Sequence, residues 1–259
     1  MKEILTGIAD LIFPPRCITC GVILKEHGPL PFCTHCTAGI HFIHSPLCLR
    51  CGIPFPVTEG EDRLCGECLV TRRPYALARA VGRYEETLLT AIHLFKYRGR
   101  IGIGKVLGNI MADFADEIWD MNVFSVVIPV PLHRKRLRER GFNQAVILAR
   151  EIAKRFSLPI DFMTLKRAVF TEPQVGLGRE DRSVNVRGAF AVRKPERTAG
   201  KKILLVDDVY TTGSTLTECA RTLLNAGADS VAVFTLAKAV SDHDEPGDHD
   251  EPGNRRKLN

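Results

Sequence analysis

The sequence predicts an α/β protein, a mainly parallel sheet flanked by helices, with a small cysteine-rich module in front of it. Two patterns carry this reading. Between residues 78 and 236, apolar strand-like runs alternate with stretches of helical spacing, an order that builds parallel sheets with ligands at the strand C-terminal ends. Before residue 69, eight of the nine cysteines fall into four C-x2-C pairs among Pro, Gly and polar residues, with too little apolar periodicity for a large core. At 259 residues and 45% hydrophobic content the chain has room for both parts.

In chain order, residues 1–13 read as a short amphipathic helix, with Ile4, Leu5, Ile8, Leu11 and Ile12 at helical spacing and Pro14-Pro15 stopping it. So short a helix is marginal alone and is expected to pack on a neighbouring domain. A single Lys2, an internal Asp10 and the lack of a small-residue cleavage pattern argue against a signal peptide. No apolar run approaches membrane-spanning length, so the expectation is a soluble, cytoplasmic protein.

In a reducing compartment the cysteines are not a disulfide framework, and metal explains them better. Each of the pairs Cys17/Cys20, Cys33/Cys36, Cys48/Cys51 and Cys65/Cys68 presents two thiolates on a tight turn, and two pairs complete a tetrahedral shell for Zn2+. Count alone leaves the pairing open, because the intervals between pairs are nearly equal. A repeat decides it: Gly21 follows Cys20 and Gly52 follows Cys51, whereas Thr37 and Leu69 follow the other pairs. The unit C-x2-C-G…C-x2-C therefore occurs twice, and the expected shells are sequential, Cys17, Cys20, Cys33, Cys36 and then Cys48, Cys51, Cys65, Cys68. Complete sulfur shells leave no position for a catalytic water, so both zinc ions are expected to be structural, with His35, His41 and His44 not needed as ligands. This double zinc ribbon is placed at residues 14–72.

The large domain is placed at residues 78–238. Its expected elements are a strand at 78–84, helices at 85–97 and 103–120, a strand at 125–130, a helix at 143–156 and a strand near 160–165. A polar stretch at 171–187 follows, then strands at 188–192 and 202–206, a helix at 215–226 and a last strand at 230–236. Cys219, inside the last helix, reads as a small buried residue rather than a nucleophile. Residues 239–259 contain DHDEPG twice, charge with Pro and Gly but little apolar content, and are expected to be a disordered acidic tail, His243 and His249 included. Six acidic against three basic groups in that tail turn a net charge of +6 into +9 for the rest, which permits a phosphate-rich partner.

The chemistry concentrates after the KILLV run at 202–206. Asp207 and Asp208 at a strand end can accept hydrogen bonds from a ribose 2′,3′-diol and attract a Mg2+ carried by pyrophosphate. Thr211, Thr212, Gly213, Ser214 and Thr215 then offer hydroxyls and close backbone N–H groups at a helix start, a cradle for a 5′-phosphate. An acidic strand end with an ordinary Thr/Ser helix cap does not need both acids and five consecutive small polar residues.

This segment, VDDVYTTGSTL at 206–216, resembles the motif with which type I phosphoribosyltransferases bind 5-phosphoribosyl-1-pyrophosphate (PRPP), and matches at every position. The resemblance implies a type I phosphoribosyltransferase-like fold, PRPP bound with Mg2+ at Asp207, Asp208, Tyr210, Thr211, Thr212, Gly213, Ser214 and Thr215, and a catalytic part for Asp207 and Asp208. Thr211 stands where 6-oxopurine enzymes carry an Asp, which brings the loop closer to the orotate and adenine enzymes and leaves no resident base for a purine in view.

Upstream, VIPVP at 127–131 leads into His133, Arg134, Lys135, Arg136, Arg138 and Arg140, read as a basic turn. Taken alone, this run is equally a solvated loop or a DNA contact. Arg140-Gly141-Phe142 resembles the pyrophosphate turn of adenine phosphoribosyltransferase, which implies pyrophosphate binding at Arg140 and Gly141. Together with Thr171, Gln174, Arg182 and Asn185, the Phe95-Lys96-Tyr97 segment and the cysteine pairs, these features resemble the ComF family of competence proteins over nearly the whole chain outside the tail. The resemblance implies a part in DNA uptake or nucleotide metabolism, with single-stranded DNA and other uptake proteins as partners, and a mobile lid at 171–187 that places Arg179, Arg182 or Arg187 over the leaving pyrophosphate, Arg182 being taken as the catalytic residue. By its polarity alone the stretch reads equally as an ordinary surface loop. The alternative is a non-catalytic DNA-binding factor that senses PRPP. Lys96 reads equally as a phosphate ligand or a solvated helix end.

Overall fold

The computed structural model describes residues 14–24, 30–97, 100–169 and 186–240. The expectations for the helix at 1–13 and for Arg182, and most of the expected lid and tail, lie outside these residues.

Four parallel strands form the central sheet: β1 (Leu77–Arg83), β2 (Val126–Pro129), β5 (Lys202–Tyr210) and β6 (Ser230–Lys238), in the spatial order β1-β6-β5-β2. Ile160 extends it through a parallel bridge to Val127, while β3 (Leu165–Arg167) and β4 (Phe190–Val192) pair antiparallel in a separate ribbon. The strand expected near 160–165 is thus divided between two sheets. In β5, Leu204 and Val206 pack on one side while Ile203 and Leu205 pack on the other, so the run is apolar throughout because both faces are covered.

On one face lie α3 (Glu86–Tyr97), α4 (Ile101–Ile118) and α6 (Gln144–Arg155); on the other lies α7 (Ser214–Asn225), whose Leu216, Cys219, Ala220 and Leu223 are buried. Cys219 is core. The basic run is a helix, α5 (Arg134–Arg140), where a turn was expected: His133 Nδ1 accepts from Lys135 N at its start, and Gly141 ends it in the left-handed region at φ 81°. Its cations stay solvated because every residue of α5 is at least partly exposed.

The cysteine module carries α1 (Thr34–Ala38) and α2 (Gly66–Val70) and leans on β1, the edge of the sheet. Ile43 N donates to Val81 O at 2.9 Å, Arg83 N to His41 O at 2.8 Å and Ala78 N to Arg50 O at 2.7 Å. These bonds occupy backbone groups that an edge strand otherwise leaves open. Cys17, Phe32, Cys36 and Ile40 join the main core, so the module borrows apolar cover that it cannot build itself.

Candidate functional site

The chain leaves β2 through α5 and α6 toward Ile160 on one side, and leaves β5 through α7 toward β6 on the other. The gap between the C-terminal ends of β2 and β5 is therefore where strand order reverses, the place at which open α/β sheets bind ligands. Pairing of β2 with β5 ends at Pro129 and Val206, and Val130 N makes a last bond to Val206 O at 2.9 Å. Asp207 and Asp208 come next. They do not end the strand, because β5 continues along β6 to the Tyr210–Lys238 pair.

The two acids point to opposite sides of the pleat. Asp208 turns toward α3, where Lys96 Nζ donates to Oδ1 at 2.8 Å; the two side chains are 12% and 17% exposed. Desolvation opposes the Lys96 charge, but the Asp208 carboxylate holds its pKa above the ordinary value. Asp207 Oδ1 accepts from Asp208 N at 2.9 Å. Burial, with the neighbouring Asp208 charge, pushes the Asp207 carboxyl up to about 7. Arg167 of β3 faces Asp207 from the other side, its own pKa lowered by burial and by Arg136 of α5. Sequence reasoning missed Arg167, since Lys166-Arg167 looks like any charged strand end.

After Tyr210 the loop tightens onto α7. Thr212 Oγ1 and Ser214 Oγ share a hydrogen bond of 2.9 Å, and Gly213 sits in the left-handed region at φ 74° as the residue before α7. A Cβ at Gly213 would collide with the phenol tip of Tyr210, so only glycine closes this turn. Thr211 is exposed at the mouth, with Thr215 in the first turn of α7. Tyr210 differs from its neighbours: it is 4% exposed and its hydroxyl meets that of Tyr75 at 2.8 Å, so it supports the loop from behind.

Arg140 reaches the same edge. Phe142 stacks on Phe95 at 5.5 Å between centroids, and the Arg140 guanidinium lies 5.5 Å from the ring centroid of Tyr97, the last residue of α3. Gly141 is exposed at the junction of α5 and α6. Asn143 anchors that junction, donating from Nδ2 to Val130 O at 2.9 Å and capping α6 by accepting from Ala145 N.

The cysteines gather in two groups, Cys17, Cys20, Cys33, Cys36 and Cys48, Cys51, Cys65, Cys68, each with its four sulfurs within 4.8 Å of one another and none in a disulfide. Sulfurs about 2.3 Å from a tetrahedral zinc lie about 3.8 Å apart. Cys20 Sγ to Cys33 Sγ and Cys51 Sγ to Cys65 Sγ are both 3.7 Å. The turns repeat as well: Gly21 N donates to Cys17 O and Gly52 N to Cys48 O, each at 2.9 Å, with both glycines at positive φ. These are two closed sulfur sites fitted to structural Zn2+.

Among the described residues, no helix is long and apolar enough to cross a membrane. Residues 8–69 match the double zinc ribbon domain and residues 143–254 the phosphoribosyl transferase domain. The chain is 31% identical to Competence protein F of Haemophilus influenzae over 222 residues, 80% of this chain and 96% of that protein. It is 30% identical to Competence protein ComFC of Bacillus subtilis, covering 80% of this chain and 84% of the relative. DNA utilization protein YhgH of Escherichia coli strain K12 is 29% identical, over 89% of this chain and the whole of the relative. Among solved structures, orotate phosphoribosyltransferase from Aeropyrum pernix is similar at 19% identity and TM-score 0.32, over 50% of this chain and 58% of that one.

Proposed function

The chain belongs to the family of Competence protein F and ComFC, and from that premise we propose that it binds PRPP with Mg2+ at the turn from β5 into α7 and acts in DNA utilization. One observation carries the reading: at the reversal of strand order, Asp207-Asp208 and the Thr211–Thr215 turn at the start of α7 lie side by side. The acids accept hydrogen bonds from the ribose hydroxyls. The turn's hydroxyls and N–H groups hold the 5′-phosphate. Arg140, Gly141 and Arg182 attend the pyrophosphate, Arg supplying fixed donors as charge develops on it. Carboxylate and hydroxyl oxygens are the donor type Mg2+ takes, and the ion, when bound, neutralises charge on the pyrophosphate. With an acceptor nitrogen the bond from ribose C1 to pyrophosphate breaks as the new C–N bond forms.

The test is PRPP consumption and binding with Mg2+, across bases, nucleosides and single-stranded DNA, comparing wild type with Asp208→Asn. Pyrophosphate release that disappears in Asp208→Asn supports transfer. PRPP binding without release for any acceptor leaves a sensor, and no PRPP binding at all removes the site reading.

A second reading is favoured by α5, which presents exposed Arg134 and Arg138 beside the site: a non-catalytic single-stranded DNA-binding factor that uses the fold to sense PRPP. Its DNA affinity falls steeply with salt, because phosphate contacts release counterions. Salt-independent or absent DNA binding excludes it.

A further inference from the structure

The two zinc shells are not equivalent. The first, at Cys17, Cys20, Cys33 and Cys36, packs with Phe32 and Ile40 into the core on the side of α3 and α4. Among the described residues, none of its hydrogen bonds reaches residues 73–78 or the turn before α7. The second stands behind that turn. We infer that Tyr210, seated between Tyr75 and Lys238, is a positioning residue that couples the second zinc shell to the phosphate loop, so that Zn2+ at Cys48, Cys51, Cys65 and Cys68 strengthens PRPP binding. This rests on the reading of residues 211–215 as the phosphate loop.

The connection can be followed atom by atom. Arg50 lies between Cys48 and Cys51, on the turn that a bound zinc would fix. Its Nη1 donates to Arg73 O at 3.4 Å and Tyr75 O at 3.2 Å, and its carbonyl accepts from Ala78 N. Beside it, a Cβ on Gly52 would collide with Ala78 O, so the turn and the segment that carries Tyr75 are in direct backbone contact. Tyr75 is fully buried and its hydroxyl meets that of Tyr210.

Charge follows the same path. Lys238 Nζ sits 3.3 Å from the Tyr210 ring centroid; burial disfavours this ammonium, and negative charge at Cys51, Cys48 and Cys65 offsets part of that cost. Arg73 pairs with Glu67, next to Cys68, and faces both phenols. A zinc bound by four thiolates carries a net charge of about −2, which two buried cations oppose. Losing that centre leaves Lys238 without that counter-charge and Arg73 with Glu67 alone, beside Tyr210. The phenol tip in turn fills the space under Gly213, at the start of α7. A shift of Tyr210 therefore displaces the N–H groups that point at the phosphate.

The experiment uses the full chain with both zincs bound. Tyr210→Leu removes the ring and hydroxyl; Tyr210→Phe restores the ring. Zinc per chain, calorimetric binding of Mg2+-PRPP and the rate of zinc loss to a chelator with and without PRPP are measured. Tyr210→Leu is expected to keep two zincs and bind PRPP at least tenfold more weakly, with Tyr210→Phe, which keeps the ring over Lys238 but loses the bond to Tyr75, recovering part of the loss. Because coupling is reciprocal, PRPP slows zinc loss in the wild type, and in Cys20→Ser/Cys33→Ser, where only the second shell is complete, but not in Tyr210→Leu. A Tyr210→Leu chain that binds PRPP like the wild type, or zinc loss indifferent to PRPP, overturns the coupling while leaving the PRPP site intact. A wild-type chain that binds no PRPP removes the site and the coupling together.

Discussion

Lys96 Nζ donates to Asp208 Oδ1 at 2.8 Å, which ties the C-terminal end of α3 to the acid pair on the central strand. Both side chains are mostly enclosed, so removing one leaves the other as a poorly solvated charge. Lys96→Met is expected to destabilise the fold by about 3 kcal/mol at pH 7, read from urea denaturation. Lys96→Met/Asp208→Asn is expected to recover part of that loss, and a double-mutant cycle gives the pair a non-zero coupling energy.

Asp207 predicts a pH dependence. Its carboxyl is held near 7, above the ordinary 3.8, by burial and by Asp208. Ribose hydroxyls donate to the ionised form, so PRPP affinity rises from pH 6 and levels off above about 7, by up to tenfold per unit on the rising side. Stability runs the other way. Between about 4 and 7 the folded chain holds a proton that the unfolded chain releases, so the contribution of Asp207 is complete below pH 4 and is lost as pH rises through 7. Calorimetry and urea melts at stepped pH check both slopes, and Asp207→Asn flattens them while titration of PRPP itself stays in common.

The PRPP-like segment and the parallel character of the sheet were readable because their signals are local: a run of buried β residues, two acids, five small polar residues and then a helical spacing. Both zinc groupings were readable from the Gly21 and Gly52 repeat. What sequence could not give was contact between distant segments. Lys96 read equally as a phosphate ligand or a solvated helix end, and not as the partner of Asp208, because that partner lies 112 residues away. Tyr210 looked like a ligand-facing residue because nothing nearby reveals Tyr75 behind it. The helix α5 was read as a turn because six cationic or histidine side chains within eight residues mask its cap at His133 and its stop at Gly141.

Gly21 and Gly52 occupy equivalent turns yet predict unequal costs. Both have positive φ, but a Cβ at Gly21 meets open space, whereas one at Gly52 collides with Ala78 O on β1. Gly21→Ala is expected to cost about 1 kcal/mol, the conformational term alone. Gly52→Ala adds a backbone clash that cannot be relieved by a rotamer change, and is expected to cost about 3 kcal/mol or more and to lower zinc retention at the second shell. Thermal unfolding and zinc content of the two variants separate the cases, and equal losses would contradict the close seam between ribbon and sheet.

The cations of α5 give a test that does not depend on catalysis. Arg134 and Arg138 are exposed on α5, so replacing both with Ala is expected to change stability by less than about 0.5 kcal/mol. If they contact single-stranded DNA, each releases about 0.7 of a counterion on binding, and the slope of log affinity against log salt becomes shallower by about 1.4 in the double variant. Fluorescence anisotropy with a labelled oligonucleotide across a salt series reads the slope directly. Mg2+-PRPP affinity, which uses Arg140 rather than these two side chains, is expected to stay within twofold. A slope unchanged from wild type would place the DNA contact elsewhere and leave α5 as a solvated connection between β2 and α6.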